Sequence, residues 1–348
     1  GAAYLLDSNV SFAGTNFLVN SSHLEGGAIK GENSLIDFNN SEFQNNQSLT
    51  SNGGGAIHLT SGTFLFDHCE FSSNFSIQEA GALFAADTNG SIHRSRFIGN
   101  QNTTSNGGGA LCLSSTTAVI SDCNFSFNIT HANNFGGAIK LVQSSPLISN
   151  CSFVRNQSTV NSGGAIYIGA NCNPSFINNS FSYNSSAIFG GALFVEDADL
   201  SIDTGLFLGN YSEYGGAIGT QGSVSVYVNN MKAIGNEANV TADSKAGFIY
   251  LNSGTTSSTF VNSIFLGNKS LGRFGVLRPS GLSRFVNCTV VGNEAGTDGG
   301  VVLLFEGDSV ELENCIVWNN SAATTGNDIW VNLGTASVNN SLFDPTQS

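Results

Sequence analysis

The sequence predicts an all-β fold, a parallel β-helix of about thirteen coils with a period of about 27 residues. Three observations predict it. A Phe-x-x-Asn unit recurs from Phe17/Asn20 to Phe265/Asn268. Degenerate copies stand at Ala233/Asn236, Val290/Asn293 and Val317/Asn320, and Phe343 is followed by Thr346 where Asn would fall. Five residues before each anchor the side chain is apolar, from Phe12, Phe38 and Phe66 through Ile148 and Phe260 to Val338. In a chain that is 40% apolar, finding every such position apolar by accident has odds on the order of 1 in 10⁵, so they mark a buried column. A Gly-Gly-Ala-Ile/Leu motif starts at Gly26, Gly54, Gly108, Gly136, Gly163, Gly190 and Gly215, with weaker versions between and beyond.

Each piece of one coil has its own reason. After the glycines, Ala56-Ile57-His58-Leu59 alternates, with Ile57 and Leu59 on one face and His58 on the other, as a strand does. Further on, Cys69 and Phe71 share a face in the same way. No apolar pattern at helical spacing persists, so each unit is two or three short strands joined by Gly/Asn/Ser turns. Such a unit cannot bury its apolar face alone; stacking on its neighbours does so. Phe stacked on Phe fills the interior, glycine permits positive φ and close approach at a corner, and an inward Asn hydrogen-bonds the coils above and below. The expected organisation is one β-helical domain over residues 1–348. Residues 1–16 are its first coil or cap, 17–336 its repeats and 337–348 a terminal coil or cap.

Charged residues are 10% of the chain, against about 25% in an ordinary domain. The surface is therefore polar through Asn, Ser and Thr. A net charge of −14 without a basic run excludes nucleic acid as a main partner. No apolar run is long enough for a transmembrane helix, and Gly1-Ala2-Ala3-Tyr4 does not begin a signal peptide. The 26 Phe exclude a disordered chain. No cofactor is implied, and zinc spacing of the Cys-x-x-Cys type is absent. A hydrolytic site would need paired carboxylates on one outer face. The acidic cluster Glu196-Asp197-Asp199-Asp203 falls in an expected turn, and His23, His58, His68, His93 and His131 are scattered. The expectation is a non-enzymatic protein, with a polysaccharide-acting β-helix enzyme as a trailing alternative.

Paired Gly-Gly-Ala-Ile/Leu and Phe-x-x-Asn motifs, from Phe17 to about Asn320, resemble those of the chlamydial polymorphic membrane proteins. That resemblance implies a right-handed β-helical autotransporter passenger acting as an extracellular, cell-surface adhesin. The last coils depart from the pattern, Gly326-Asn327-Asp328-Ile329 replacing the glycine motif, and no C-terminal barrel follows. The expected partner is a protein or glycan receptor. Self-association end to end into a fibre is the structural alternative, because strand edges at either end invite pairing.

The chain is also dense in Asn-x-Ser/Thr. Many of these Asn are the ladder residues themselves, so Asn89, Asn102 and Asn239, read as loop residues, are the better glycosylation candidates. Cys69, Cys123, Cys151, Cys288 and Cys315 all sit two residues before an anchor. They read as small buried hydrophobes, with Cys123/Cys151 and Cys288/Cys315 close enough to be oxidised. The position after each Gly-Gly-Ala-Ile reads Lys30, His58, Phe84, Cys112, Lys140, Tyr167, Phe194, Gly219, Tyr250, Arg278, Leu303 and Trp330. Stacked, these would form an outer stripe of aromatics and cations, a candidate partner surface; the alternative is that loops cover Phe84, Tyr167 and Phe194.

Overall fold

The computed structural model describes residues 1–345 apart from 50–52, 105–106, 132–134, 241–244, 253 and 255–256. It contains two compact units, Gly1–Ser175 and Phe176–Ser348. Each is a parallel β-solenoid with no helix among its described residues.

In the first unit, the coil holding Phe125 shows the plan. Its strands are Leu111–Ser114, Thr117–Ser121, Asn124–Ser126 and Ile129–Thr130. All four pair in parallel with the next coil: Leu111 with Ile139, Ile120 with Ile148, Phe125 with Phe153 and Thr130 with Ser158. Corners are made by single left-handed residues three before and two after the anchor, here Asp122 (φ 56°) and Phe127 (φ 57°). One such residue turns the chain without a loop and leaves the next side chain facing inward.

The two glycines of the repeat do different work. Gly136 adopts φ 77°, which an L side chain resists. Gly137 is needed for approach, since a Cβ there would stand 2.0 Å from the carbonyl oxygen of Gly164 in the next coil.

Inside, Phe17, Phe43, Phe71, Phe97, Phe125 and Phe153 stack face to face, centroids 4.7–4.9 Å apart. Beside them runs the asparagine ladder. Asn128 Nδ2 donates to Asn156 Oδ1 at 2.9 Å and to the Phe97 carbonyl at 2.9 Å, while its Oδ1 accepts from Asn100 N and Asn100 Nδ2, both at 3.0 Å. The ladder thus satisfies backbone groups that the corner frees from the sheet.

Ser41, Cys69, Ser95, Cys123 and Cys151 form another column. Each donates to the carbonyl two residues earlier, as Ser95 Oγ does to His93 O at 2.7 Å and Cys123 Sγ to Ser121 O at 3.1 Å. Hydroxyl and thiol are interchangeable here because the task is to close the corner, so these cysteines are hydrogen-bonding groups as well as small buried ones.

The second unit repeats the plan, with Val290 and Val317 replacing Phe in the column after Phe265 and one exchange inside it. Phe181 stacks on Phe207 at 4.8 Å, and then Ala233 stands in the column, in register with Phe207 and with Phe265. The missing ring is supplied by Phe248, which replaces the Ala of the glycine motif and meets Phe207 edge-on at 5.8 Å and Phe265 at 5.6 Å. The ladder continues from Asn184 through Asn210, Asn236, Asn268 and Asn293 to Asn320, whose Nδ2 donates to Asp328 Oδ1 at 2.9 Å. Among the described residues the short strands of the second sheet mark six coils in each unit, Ser21–Ser22 to Gln157–Ser158 and Ser185–Ser186 to Ser321–Ala322. A further coil begins with Ile329–Val331, Thr335–Asn339 and Leu342–Phe343; Thr346 lies outside the described residues.

Candidate functional site

The outer stripe is stacked in the expected register, but much of it is covered. In the first unit Lys30 pairs with His58, His58 with Phe84, Phe84 with Cys112, Cys112 with Lys140 and Lys140 with Tyr167. His58, Cys112 and Tyr167 are buried, at 3%, 2% and 9% exposure, whereas Lys30, Phe84 and Lys140 are half-buried. Over Tyr167 the cover comes from the residue before the glycine pair: the Phe135 ring lies 4.7 Å from that of Tyr167, with Lys140 Nζ 5.8 Å above Phe135 and 5.6 Å above Tyr167.

Three acidic groups are drawn in. Lys30 Nζ sits 2.6 Å from both Glu25 and Glu32, which raises its pKa, and 5.2 Å over the Tyr4 ring. Glu79, Phe84, Cys112 and Lys140 line a hollow of about 280 Å³. Burial pushes the Cys112 thiol up to about 12 and raises Glu79, which the Lys140 charge opposes.

In the second unit Phe194 pairs with Gly219, Gly219 with Tyr250, Tyr250 with Arg278, and Leu303 with Trp330. Phe194, Tyr250 and Leu303 are buried, while Arg278 and Trp330 are half-buried. Phe189 and Tyr214, each preceding a glycine pair, fold over them: Phe189 is 5.5 Å from Phe194, and Tyr214 is 5.1 Å from Tyr250. The Arg278 guanidinium lies 4.7 Å over Tyr250. Lys245 is 1% exposed, held by Glu213 at 2.7 Å and by the Tyr214 ring at 2.9 Å. Tyr167, Phe194 and Tyr250 are therefore not exposed contact residues; they belong to an aromatic layer outside the sheet. Lys30, Phe84, Lys140, Arg278 and Trp330 carry its solvent side.

The sequon excess has a structural origin. Two residues after a ladder Asn a second inward position is most often filled by Ser or Thr, as in Asn46/Ser48, Asn74/Ser76, Asn128/Thr130 and Asn210/Ser212, all fully buried; Asn102, Ala238, Ala295 and Ala322 take it in the other coils. A buried pair one strand residue apart spells Asn-x-Ser/Thr without any glycan. The three glycosylation candidates are corrected in part. Asn102 is at 0% exposure, in the short strand Gln101–Asn102, so it cannot carry a sugar. Asn89 is exposed but lies within the strand Leu83–His93 rather than in a loop. Asn239 is half-buried, with its Nδ2 donating to the Tyr211 hydroxyl.

The acidic cluster caps the next coil: Asp197 and Asp199 accept from the backbone N–H of Ser223 and Ser225 at 2.9 Å, and Asp203 accepts from Asn229 at 3.0 Å. The seven cysteines are buried thiols. In the pairs Cys123/Cys151 and Cys288/Cys315 a thiol–thiol hydrogen bond, then burial, makes loss of the second proton much harder. Among the described residues no group of three or more His, Cys, Asp or Glu could hold a metal ion, and no helix is long and apolar enough to cross a membrane.

Sequence reasoning missed a second outer feature. The left-handed corner before each anchor is concave on its outer side, and the residues three and one before the anchor form its two walls. In the first unit Asn40, Glu42, His68, Glu70, Arg94 and Arg96 line a 410 Å³ groove there; in the second, Asn178, Ser180, Thr204, Leu206, Asn230 and Lys232 line one of 350 Å³ at the same register. The signal was present as paired polar residues flanking an inward Ser or Cys. Arg94 binds Asp67 through Nε at 2.9 Å and Nη2 at 2.7 Å, and Arg96 Nη1 lies 3.3 Å from Glu70. Burial opposes ionisation of Asp67, but the Arg94 and His68 hydrogen bonds prevail and hold its carboxyl below the usual range.

Residues 40–60 match the Chlamydia polymorphic membrane protein repeat. No curated protein matches the chain. Two solved structures of mutant tailspike proteins of E. coli bacteriophage HK620, one in complex with a pentasaccharide and one with a hexasaccharide, align at 11% identity with TM-scores of 0.35 and 0.36. The alignments cover 90% of this chain and 59% of theirs, so the chain spans less than two thirds of those proteins.

Proposed function

We propose that the chain is an extracellular, cell-surface passenger domain that works by attachment to a protein or glycan receptor and not by catalysis. The matched repeat supports the setting. The observation that carries the attachment reading is the outer layer of cations and aromatics. The solenoid interior is already closed by the Phe stack and the Asn ladder, so packing alone does not call for Lys140 over Tyr167 or Arg278 over Tyr250 outside the sheet. Half-exposed aromatics and arginines are the residue types that anchor contacts between macromolecules.

The test is attachment of beads bearing the whole chain to candidate host cells. Replacing Phe84, Lys140, Arg278 and Trp330 by Ser should lower attachment severalfold while thermal melting changes little, because their heads reach solvent. Unchanged attachment of that variant would remove the stripe from the reading. Wild-type beads that attach to no cell type would end the reading itself.

A further inference from the structure

We infer that the concave corner of the first unit is a binding groove for a saccharide bearing an isolated carboxylate among hydroxyls, with Arg94 and Arg96 as its anchors. The walls face each other because the residue between them points inward: Ser95 is 1% exposed and donates to His93 O, so Arg94 and Arg96 flank it on the outside. The same geometry places Asn40 opposite Glu42 and His68 opposite Glu70 in the preceding coils, giving a groove of 410 Å³ within the range of small-ligand sites.

The charges choose the ligand. The chain has 11 Lys and Arg in 348 residues, and two of them meet here. Arg94 is oriented by two bonds to Asp67 through Nε and Nη2, in which Nη1 takes no part, and Arg96 touches Glu70 through one long Nη1 contact. A carboxylate can take charge-assisted hydrogen bonds from both guanidiniums. Glu42 and Glu70 accept hydroxyl protons, and the Asn40 amide serves a hydroxyl as donor and acceptor.

With Asp67, Glu42 and Glu70 against the two arginines, the groove is slightly negative. It therefore offers no net attraction to a densely charged polyanion, and a single carboxylate has to be held by directed hydrogen bonds from the guanidiniums. No Phe, Tyr, Trp or large aliphatic side chain lines it, so it offers little to an apolar peptide side chain. The proposal deepens the attachment reading by naming a ligand class, and it uses a different face from the stripe. Failure of the saccharide to bind the groove therefore ends this proposal and leaves attachment through the stripe standing.

The test is calorimetric titration of the whole chain with 3′-sialyllactose, with lactose as the neutral counterpart and with tetraglutamate as an acidic peptide. The wild type should bind sialyllactose, with lactose and tetraglutamate each at least about tenfold weaker. Arg94→Gln with Arg96→Gln should lower sialyllactose affinity by about tenfold or more. Arg284→Gln with Lys269→Gln, which removes an equal charge from exposed pairs with Glu311 and Glu294, should change it by less than about twofold. Melting curves check that both variants stay folded. The proposal is overturned by absence of sialyllactose binding at millimolar concentration, by equal binding of lactose, by equal or tighter binding of tetraglutamate, or by equal losses in the two variants.

Discussion

The exchange of Ala233 and Phe248 allows the packing argument to be tested as a cycle. Phe248 is fully buried, and its ring fills the space beside Ala233 between Phe207 and Phe265. Phe248→Ala deletes that ring and should cost about 3–5 kcal/mol. Ala233→Phe alone adds a ring to occupied space and should cost about 1–3 kcal/mol. If the sites were independent, the double variant would lose about 4–8 kcal/mol.

In the double variant, however, the ring has moved to the column position. There it can stack between Phe207 and Phe265 as the first-unit rings do at 4.7–4.9 Å. The double variant should therefore lose less than about 2 kcal/mol, a coupling of at least about 2 kcal/mol. Because solenoids can open locally, the measurement is amide exchange of the strands Ser225–Ile234 and Ile264–Leu266 beside urea unfolding. Losses that simply add would refute the claim that the two positions share one space.

Other residues make separate predictions. Asn128→Ala removes the acceptor of the buried Asn100 N–H and should cost about 2–4 kcal/mol, read from urea unfolding. Asn128→Asp cannot donate to the Phe97 carbonyl until it is protonated, so its folded pKa should rise and the variant should melt higher at pH 4 than at pH 7; a flat profile would contradict the ladder. Cys123→Ser should stay within about 1 kcal/mol of the parent in thermal melting, since Ser95 makes the same bond, whereas Cys123→Val should lose about 1–3 kcal/mol. Burial raises the Asp328 pKa against the lowering effect of the Asn320 hydrogen bond. Its stabilising contribution is therefore complete below the unfolded carboxylate pKa and is lost as pH rises through the folded value. Asp328→Asn should flatten the pH dependence of exchange protection in the strand Ile329–Val331.

Much of this architecture was legible because a repeated residue in a solenoid meets its own copies. The columns led by Phe38, Phe43 and Asn46 could be read from spacing alone, as could the stacking register of Lys30, His58 and Phe84. Exposure could not, because it depends on what a turn folds over. Phe135, Phe189 and Tyr214 immediately precede glycine pairs, and that aromatic lid was the signal for a covered stripe. The buried Ser48 and Ser76 column was masked by its coincidence with a glycosylation pattern. Its inward direction follows from the corners at Asn45 and Ser73, whose positive φ is not announced by residue type. The groove at Arg94 and Arg96 stayed hidden for the same reason: concavity is a property of the corner backbone, not of the side chains beside it.

The spacing from the apolar column through the anchor to the Ser/Thr column is the same in every coil, since hydrogen-bonded columns fix each step. Length changes most in the turn before the glycine pair, which runs from three residues between Ser212 and Gly216 to eight between Ala238 and Gly247, and less between the pair and the apolar column, from nine residues between Gly275 and Phe285 to twelve between Gly247 and Phe260. Lengthening such a turn adds only a closure entropy of about 0.6 kcal/mol per doubling. New peptide can therefore be grafted at that edge, coil by coil, diversifying the surface it presents while the scaffold beneath keeps its lattice.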